Sequence, residues 1–263
     1  MWRGKGKTKE LQSSDLTVWL LCRLMTAGRL QPSLAPLLLK KSPWGMYSAE
    51  SFVGSWLPEY RGNGRNAVVS AGVSAGNNTG NGASAAIPSM SGASSATVIW
   101  PPGSIPTSFT ICSITRYTGT INSRRILTST TGNWLHGHFN GRRGVAYYES
   151  WMTQSSTSVG TLTNWLVMCG KDSSPFPANI LVDGAASGIA APGSAAAGGG
   201  ALAINTGYSW DISDWALSAV IIWDQLLTDA EMSTASSALL GYLNSGGSFA
   251  TLTGIQVCTP TSH

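Results

Sequence analysis

From about Glu50 onward, short apolar runs alternate with Gly, Ser, Asn and Pro breaks. ATVIW (96–100) stops at Pro101-Pro102, TSFTICSITRY (107–117) alternates, and RRILTS (124–129), NWLHGHF (133–139) and GVAYYESW (144–151) follow. NWLVMCGK (164–171), ANILVDGAASG (178–188), GALAIN (200–205) and WALSAVIIWDQ (215–225) complete the series. Period-two alternation with β-branched and aromatic residues favours strands. Strands at this spacing, with turn residues between them, predict an all-β sandwich or barrel. The stretches GNNTGNG (76–82) and GSAAAGGG (193–200) read as loops. Neither ends in the Lys-Ser/Thr of a phosphate loop, which argues against nucleotide binding. One segment changes period: LLTDAEMSTASSALLGYL (226–243) opens with Thr228-x-x-Glu231, a capping box, and sets Met232, Ala235, Leu239, Tyr242 and Leu243 on one face. This is a C-terminal helix that packs on the sandwich.

Composition sharpens this picture. Only 11% of the 263 residues are charged, against about 25% in an ordinary soluble domain. The 31 glycines and 11 tryptophans fit an extracellular-type β module better than a helical cytosolic enzyme. The net charge of +4 hides a division. Residues 1–49 hold eight Lys/Arg and two acids, and the remainder holds eight Lys/Arg and ten acids, with no Lys or Arg after Asp172. The body therefore lacks the basic stripe of a nucleic-acid binder. Residues 1–50 read as a leader, a targeting or anchoring segment, or a disordered extension. LTVWLLCRLM (16–25) is apolar but broken by Arg23, shorter than the roughly 20 residues that span a bilayer. A membrane partner is expected only if this segment is an uncleaved anchor. The expected organisation is a leader over 1–50, one jelly-roll domain over 51–250, and a tail over 251–263.

Three pieces in order carry a family resemblance. SFTIC ends in Cys112, NWLVMCGKDSS…NILVDG carries Cys169 into a Val182-Asp183-Gly184 turn, and WALSAVIIWDQLLTDAEM joins a strand to a capped helix. Over roughly residues 60–245 this resembles the concanavalin A-like jelly roll of laminin-G-like and pentraxin-type domains. The resemblance implies a two-sheet antiparallel sandwich with one short C-terminal helix, and a Cys112–Cys169 disulfide. Two buried free thiols are the alternative on the residues alone. A disulfide implies an oxidising compartment, in line with the sequon Asn77-Asn78-Thr79 and an extracellular or cell-surface location. Pentraxins bind calcium through clustered acids, but the matching stretch PGSAAAGGGALAINTG has none. No cofactor is expected. Asp183, Asp211 and Asp214 leave room for a single calcium ion of laminin-G type.

The same fold houses β-glucanases, whose paired acids follow a Glu-x-Asp-x-x-Glu pattern that is absent here. Beyond residue 50 the glutamates are Glu59, Glu149 and Glu231, and Glu231 serves the helix cap. The residues point to a non-catalytic binding module that recognises glycans. The alternatives are an adhesion module for protein partners and a divergent glycoside hydrolase. The candidate surface is the hairpin over 133–151. Alternation puts Trp134, His136 and His138 on one face with Tyr148, and Arg142 and Arg143 at the tip. A five-residue turn starting at Asn140-Gly141 would set Tyr148 opposite His136. Two histidines fall short of the three protein ligands of a zinc site. The face is either a packed layer of the sandwich or a ligand surface in which aromatics stack on sugar rings while His and Arg donate hydrogen bonds.

Overall fold

The computed structural model describes residues 33–172, 179–189, 200–207 and 211–254. They lie within one unit, Pro32–His263. Helix α1 (Ala35–Lys40) leads into β1 (Gly45–Ser48), β2 (Trp56–Leu57), β3 (Ala67–Val69), β4 (Val73–Gly80), β5 (Ala83–Gly92) and β6 (Val98–Ile99). Then come β7 (Thr110–Tyr117), β8 (Leu127–Ser129), β9 (Trp134–Phe139), β10 (Arg142–Tyr148), β11 (Leu166–Lys171) and β12 (Ile180–Val182). The chain continues through β13 (Ala185–Ala186), β14 (Leu202–Ile204), β15 (Trp215–Trp223), α2 (Asp229–Ser245) and α3 (Phe249–Thr253).

The strands form two antiparallel sheets, as the alternation predicts. The first runs β13-β12-β11-β7-β15-β5-β4, with β1 also on β15, and the second runs β10-β9-β8-β14-β6-β3-β2. Aromatic and aliphatic side chains such as Trp100, Phe109, Tyr117, Trp215 and Leu217 fill the space between them. The other face of the first sheet is apolar too, and it is covered by helix α2. Ile114, Val167 and Ile221 meet Met232, Ala235 and Leu239 in a second core. Cys112 and Cys169 face each other across β7 and β11 on this helix side and form the disulfide that the family resemblance implies. Thr228 and Glu231 make the expected capping box at the start of α2. The Lys171 ammonium holds the same helix end through the Leu227 carbonyl (3.1 Å) and the Asp229 carboxylate.

Three boundaries differ from the sequence reading. The stretch GNNTGNG is mostly strand: Gly76–Gly80 belong to β4, and the turn is confined to Asn81 and Gly82, both at positive φ. A ladder to β5 supplies the pairing that the polar, Gly-rich composition does not advertise. The folded unit also takes in residues 33–50. Strand β1 pairs with β15 through Gly45↔Ile222 to Ser48↔Ala219, and Met46 and Tyr47 are fully buried. Finally, Phe249 and Leu252 of α3 are buried, and the Leu252 carbonyl accepts from Leu34 N–H at 2.9 Å, so residues 251–253 belong to the fold. The apolar run 16–25 and the loop 193–199 lie outside the described residues. Among the described residues, no helix is long and apolar enough to cross a membrane.

Candidate functional site

The β9–β10 hairpin closes through a two-residue turn, not five. Asn140 and Gly141 both have positive φ (49° and 68°), the conformation that Asn-Gly favours and that matches the strand twist. Gly144 (φ 88°) takes up the spare residue as a bulge between Arg143 and Val145. Tyr148 therefore stands opposite Trp134, and Ala146 opposite His136. The face that holds Trp134, His136, His138 and Tyr148 points into the sandwich, and all four side chains are buried. The expected ligand surface is an interior layer. The physical reason is that the opposing sheet needs a large complementary surface here, and aromatic rings supply it.

The histidines are neutral core residues. His136 donates from Nε2 to the Met168 carbonyl (3.3 Å), which leaves Nδ1 to accept from the Tyr148 hydroxyl (2.7 Å). The His136 ring lies 15° from the plane of Tyr148, and Trp134 lies 15° from Tyr148 on a centroid distance of 5.2 Å. Burial lowers the His136 pKa to about 4, partly offset by the bond to Met168. Burial also drives His138 well below its ordinary value, with smaller contributions from Arg143 and His136. The Tyr148 hydroxyl sits over Gly170, where a Cβ would overlap it.

Arg143 is buried and acts as a clamp. Its Nε donates to Asn164 O (3.2 Å), Nη1 to Val159 O (2.5 Å), and Nη2 to Trp165 O and to the Asp183 carboxylate (2.7 Å). The second Asp183 oxygen accepts from Val167 N–H at 3.0 Å. The hairpin is thereby tied to the Val-Asp-Gly turn of the other sheet. Of the predicted site residues, Arg142 stays at the surface, where it donates to Ser155 O at 3.0 Å.

A different place in the fold presents an accessible cleft. It measures about 620 Å³ and is lined by Trp44, Arg61, Asn63, Arg65, Asp224 and Gln225, with Ser42 and Pro43 at its margin. Three chain segments converge there: the approach to β1, the β2–β3 loop, and the exit from β15. The loop is organised by Glu59, a buried carboxylate. It accepts from Met46 N–H (3.0 Å), Arg61 N–H (2.9 Å) and Arg61 Nε (3.2 Å), while Glu59 N–H donates to Asn66 Oδ1 (3.0 Å). Gly62 and Gly64 (φ 73° and 81°) let the loop turn between its two arginines. Arg61 reaches Ser42 Oγ at 2.8 Å and the Pro43 carbonyl, and Arg65 reaches the Trp44 carbonyl. The Arg65 guanidinium lies 4.7 Å over the Trp44 ring. On the far wall Lys41 Nζ donates to Gln225 Oε1 at 3.2 Å.

The cleft sets a half-buried indole among planar donors and acceptors. The indole packs against the core and carries the Arg65 guanidinium over its ring, and the guanidinium, amide and carboxylate groups around it are hydrogen-bond donors and acceptors. Sequence reasoning missed this site because Trp44 was assigned to the leader. The signal available was RGNGR (61–65), a Gly/Asn turn with Arg at each end. The three aspartates considered for calcium serve separate protein partners. Asp183 holds Arg143, Asp211 pairs with Arg125 at 2.8 Å, and Asp214 accepts from Ser94 N–H at 2.9 Å. Among the described residues, no three His, Cys, Asp or Glu side chains gather into a metal site.

No protein-family model and no curated protein matches the chain. Solved structures share its fold at low identity. A mutant of Trypanosoma rangeli sialidase displaying trans-sialidase activity aligns with a TM-score of 0.53 at 14% identity, over 88% of this chain and 39% of the sialidase. Domain 4 of AbnA, an extracellular GH43 arabinanase from Geobacillus stearothermophilus in complex with arabinotriose, gives a TM-score of 0.51 at 11% identity. That match covers 73% of this chain and 97% of the domain. The chain thus spans about two fifths of the sialidase and nearly all of the arabinanase domain. At these identities the likeness is one of β-sandwich fold.

Proposed function

We propose that this chain is a non-catalytic glycan-binding module of the concanavalin A-like, laminin-G/pentraxin type, acting outside the cell. The observation that carries the reading is the cleft at Trp44, where the half-buried indole with Arg65 over its ring meets Arg61, Asn63, Asp224 and Gln225. The buried disulfide supports an oxidising compartment, and the arabinanase domain bound to arabinotriose is a sugar complex on a similar fold. Retaining glycosidases need two carboxyl groups about 5–5.5 Å apart. The cleft lining offers Asp224 alone, since the nearby Glu59 is spent on the loop.

The test is a glycan array followed by titration calorimetry on the best ligand. Trp44→Ala is expected to weaken binding at least about fivefold, in line with the roughly 1–3 kcal/mol of a stacked ring. A folded protein, checked by circular dichroism, that binds no glycan would sink the reading. Reducing sugar released from a polysaccharide, and lost on Asp224→Asn, would make it an enzyme instead.

A second reading, a protein-binding or adhesion module, is favoured by one feature. Trp56, Val68 and Ile99 lie in register across β2, β3 and β6 and are 49%, 49% and 38% exposed. Concentration-dependent association that is abolished by Val68→Lys, without sugar affinity, would favour it.

A further inference from the structure

Strand β4 ends its sheet, and among the described residues no strand lies beyond it. Its residues are mostly exposed, and none is charged or proline. Of the usual devices that stop a second chain from adding a strand, charge and proline are absent, and only the register shift between Asn78 and Gly80 breaks the edge.

The register shows which backbone groups face outward. Asn77 pairs with Pro88 of β5. Pro88 has no N–H, and its carbonyl accepts from Ser218 Oγ of β15 at 2.8 Å. Its backbone polar side therefore faces β15, which makes Asn77–Pro88 a non-hydrogen-bonded pair of the antiparallel ladder. The N–H and C=O of Asn77 consequently point to the open side, and by alternation so do those of Ala75. The Asn77 side chain is exposed, as is Thr79. The intervening Asn78 turns to the other face, where its amide bonds Ser89 Oγ. Asn77-Asn78-Thr79 is an acceptor sequence for N-linked glycosylation.

We propose that Asn77 carries an N-linked glycan and that this glycan guards the β4 edge against strand addition. In the transfer, the Asn77 amide nitrogen bonds to C1 of the first sugar of a lipid-pyrophosphate-linked oligosaccharide. The C1–O bond breaks, the lipid pyrophosphate leaves with the electron pair, and the amide gives up one proton. The site shares with the proposed function only the route through an oxidising compartment, and it is independent of the Trp44 cleft.

The experiment is expression of the full chain behind a secretion signal in a eukaryotic cell. Peptide mapping is done on secreted and cell-retained material, and thiol alkylation of the same samples reports the Cys112–Cys169 bond. The expected result is a glycan on the Asn77 peptide that is lost in both Asn77→Gln and Thr79→Ala. Sedimentation of deglycosylated protein, made as Asn77→Gln because enzymatic release leaves a charged carboxylate on the same edge, should show association at micromolar concentration that the glycosylated form lacks. Ala75→Lys, a charge on the same open edge, should return the deglycosylated protein to monomer. Disulfide-bonded protein with bare Asn77 overturns the site. Glycosylated and deglycosylated protein with identical sedimentation overturns the guarding role. Sugar binding on an array is unaffected by either outcome.

Discussion

His136 holds its place as a neutral ring, donating to Met168 O and accepting from Tyr148. Its pKa falls from an ordinary 6.5 to about 4 in the folded state, so the unfolded chain binds the proton more readily. Stability is therefore complete above about pH 6.5 and falls as pH drops from there toward 4. The loss from this ring is about 3 kcal/mol, and the depressed pKa of His138 adds to it. Thermal melts between pH 7.5 and 4.5 should show a steep decline in Tm, and His136→Gln should flatten it. An equally steep decline in that variant would place the acid sensitivity elsewhere. Arg143 makes the opposite kind of contribution, a buried charge with its partners in place. Arg143→Met leaves Asp183 and three carbonyls without it and should cost about 3–5 kcal/mol, read as a shifted urea midpoint. A cost under 1 kcal/mol would show that the clamp is replaceable.

At the scale of elements, the register of the β9–β10 hairpin decides the fate of the most conspicuous stretch of sequence. Asn-Gly is a strong two-residue turn signal, and it was visible. Gly144 invited a longer turn because a bulge and a turn end both favour glycine. The inward direction of Trp134 and Tyr148 was not legible, because alternation identifies two faces without saying which one is covered. The strands from 96 to 225 and the capped helix were legible from their periods. Strand β1 was not, because four residues, GMYS, beside a lysine-rich stretch give no pattern of their own. Its place is fixed by β15, which is far away in sequence. A chain begun at Ser51 exposes the β15 edge and loses the buried Met46 and Tyr47, each worth about 1.5–3 kcal/mol. It should be recovered as aggregate by gel filtration, whereas a chain begun at Pro32 should elute as folded protein. A soluble, cooperatively melting product from Ser51 would mean that β1 is dispensable.

For the molecule as a whole, the layers divide the labour. Apart from its exposed end strand β4, one sheet is enclosed between two cores, and accessible chemistry is left to the ends and to the other sheet. Most tryptophans in the described residues, such as Trp100, Trp165, Trp215 and Trp223, are core. Trp44, Trp56 and Trp151 retain accessible surface. The Trp44 cleft could not be read from composition, since its walls come from three separate segments that meet only in the folded chain.

The position of the disulfide beneath α2 has a kinetic consequence. Cys112 and Cys169 are fully buried, so a reductant in solution reaches the sulfurs only while the helix is lifted. Under native conditions the rate of thiol release then counts helix openings, like a shutter in front of a detector. Thr228→Ala weakens the helix cap by about 1 kcal/mol and should raise that rate roughly fivefold, followed by alkylation and mass spectrometry. A rate that ignores the cap would mean that the reductant reaches the bond through an opening that leaves the start of α2 in place.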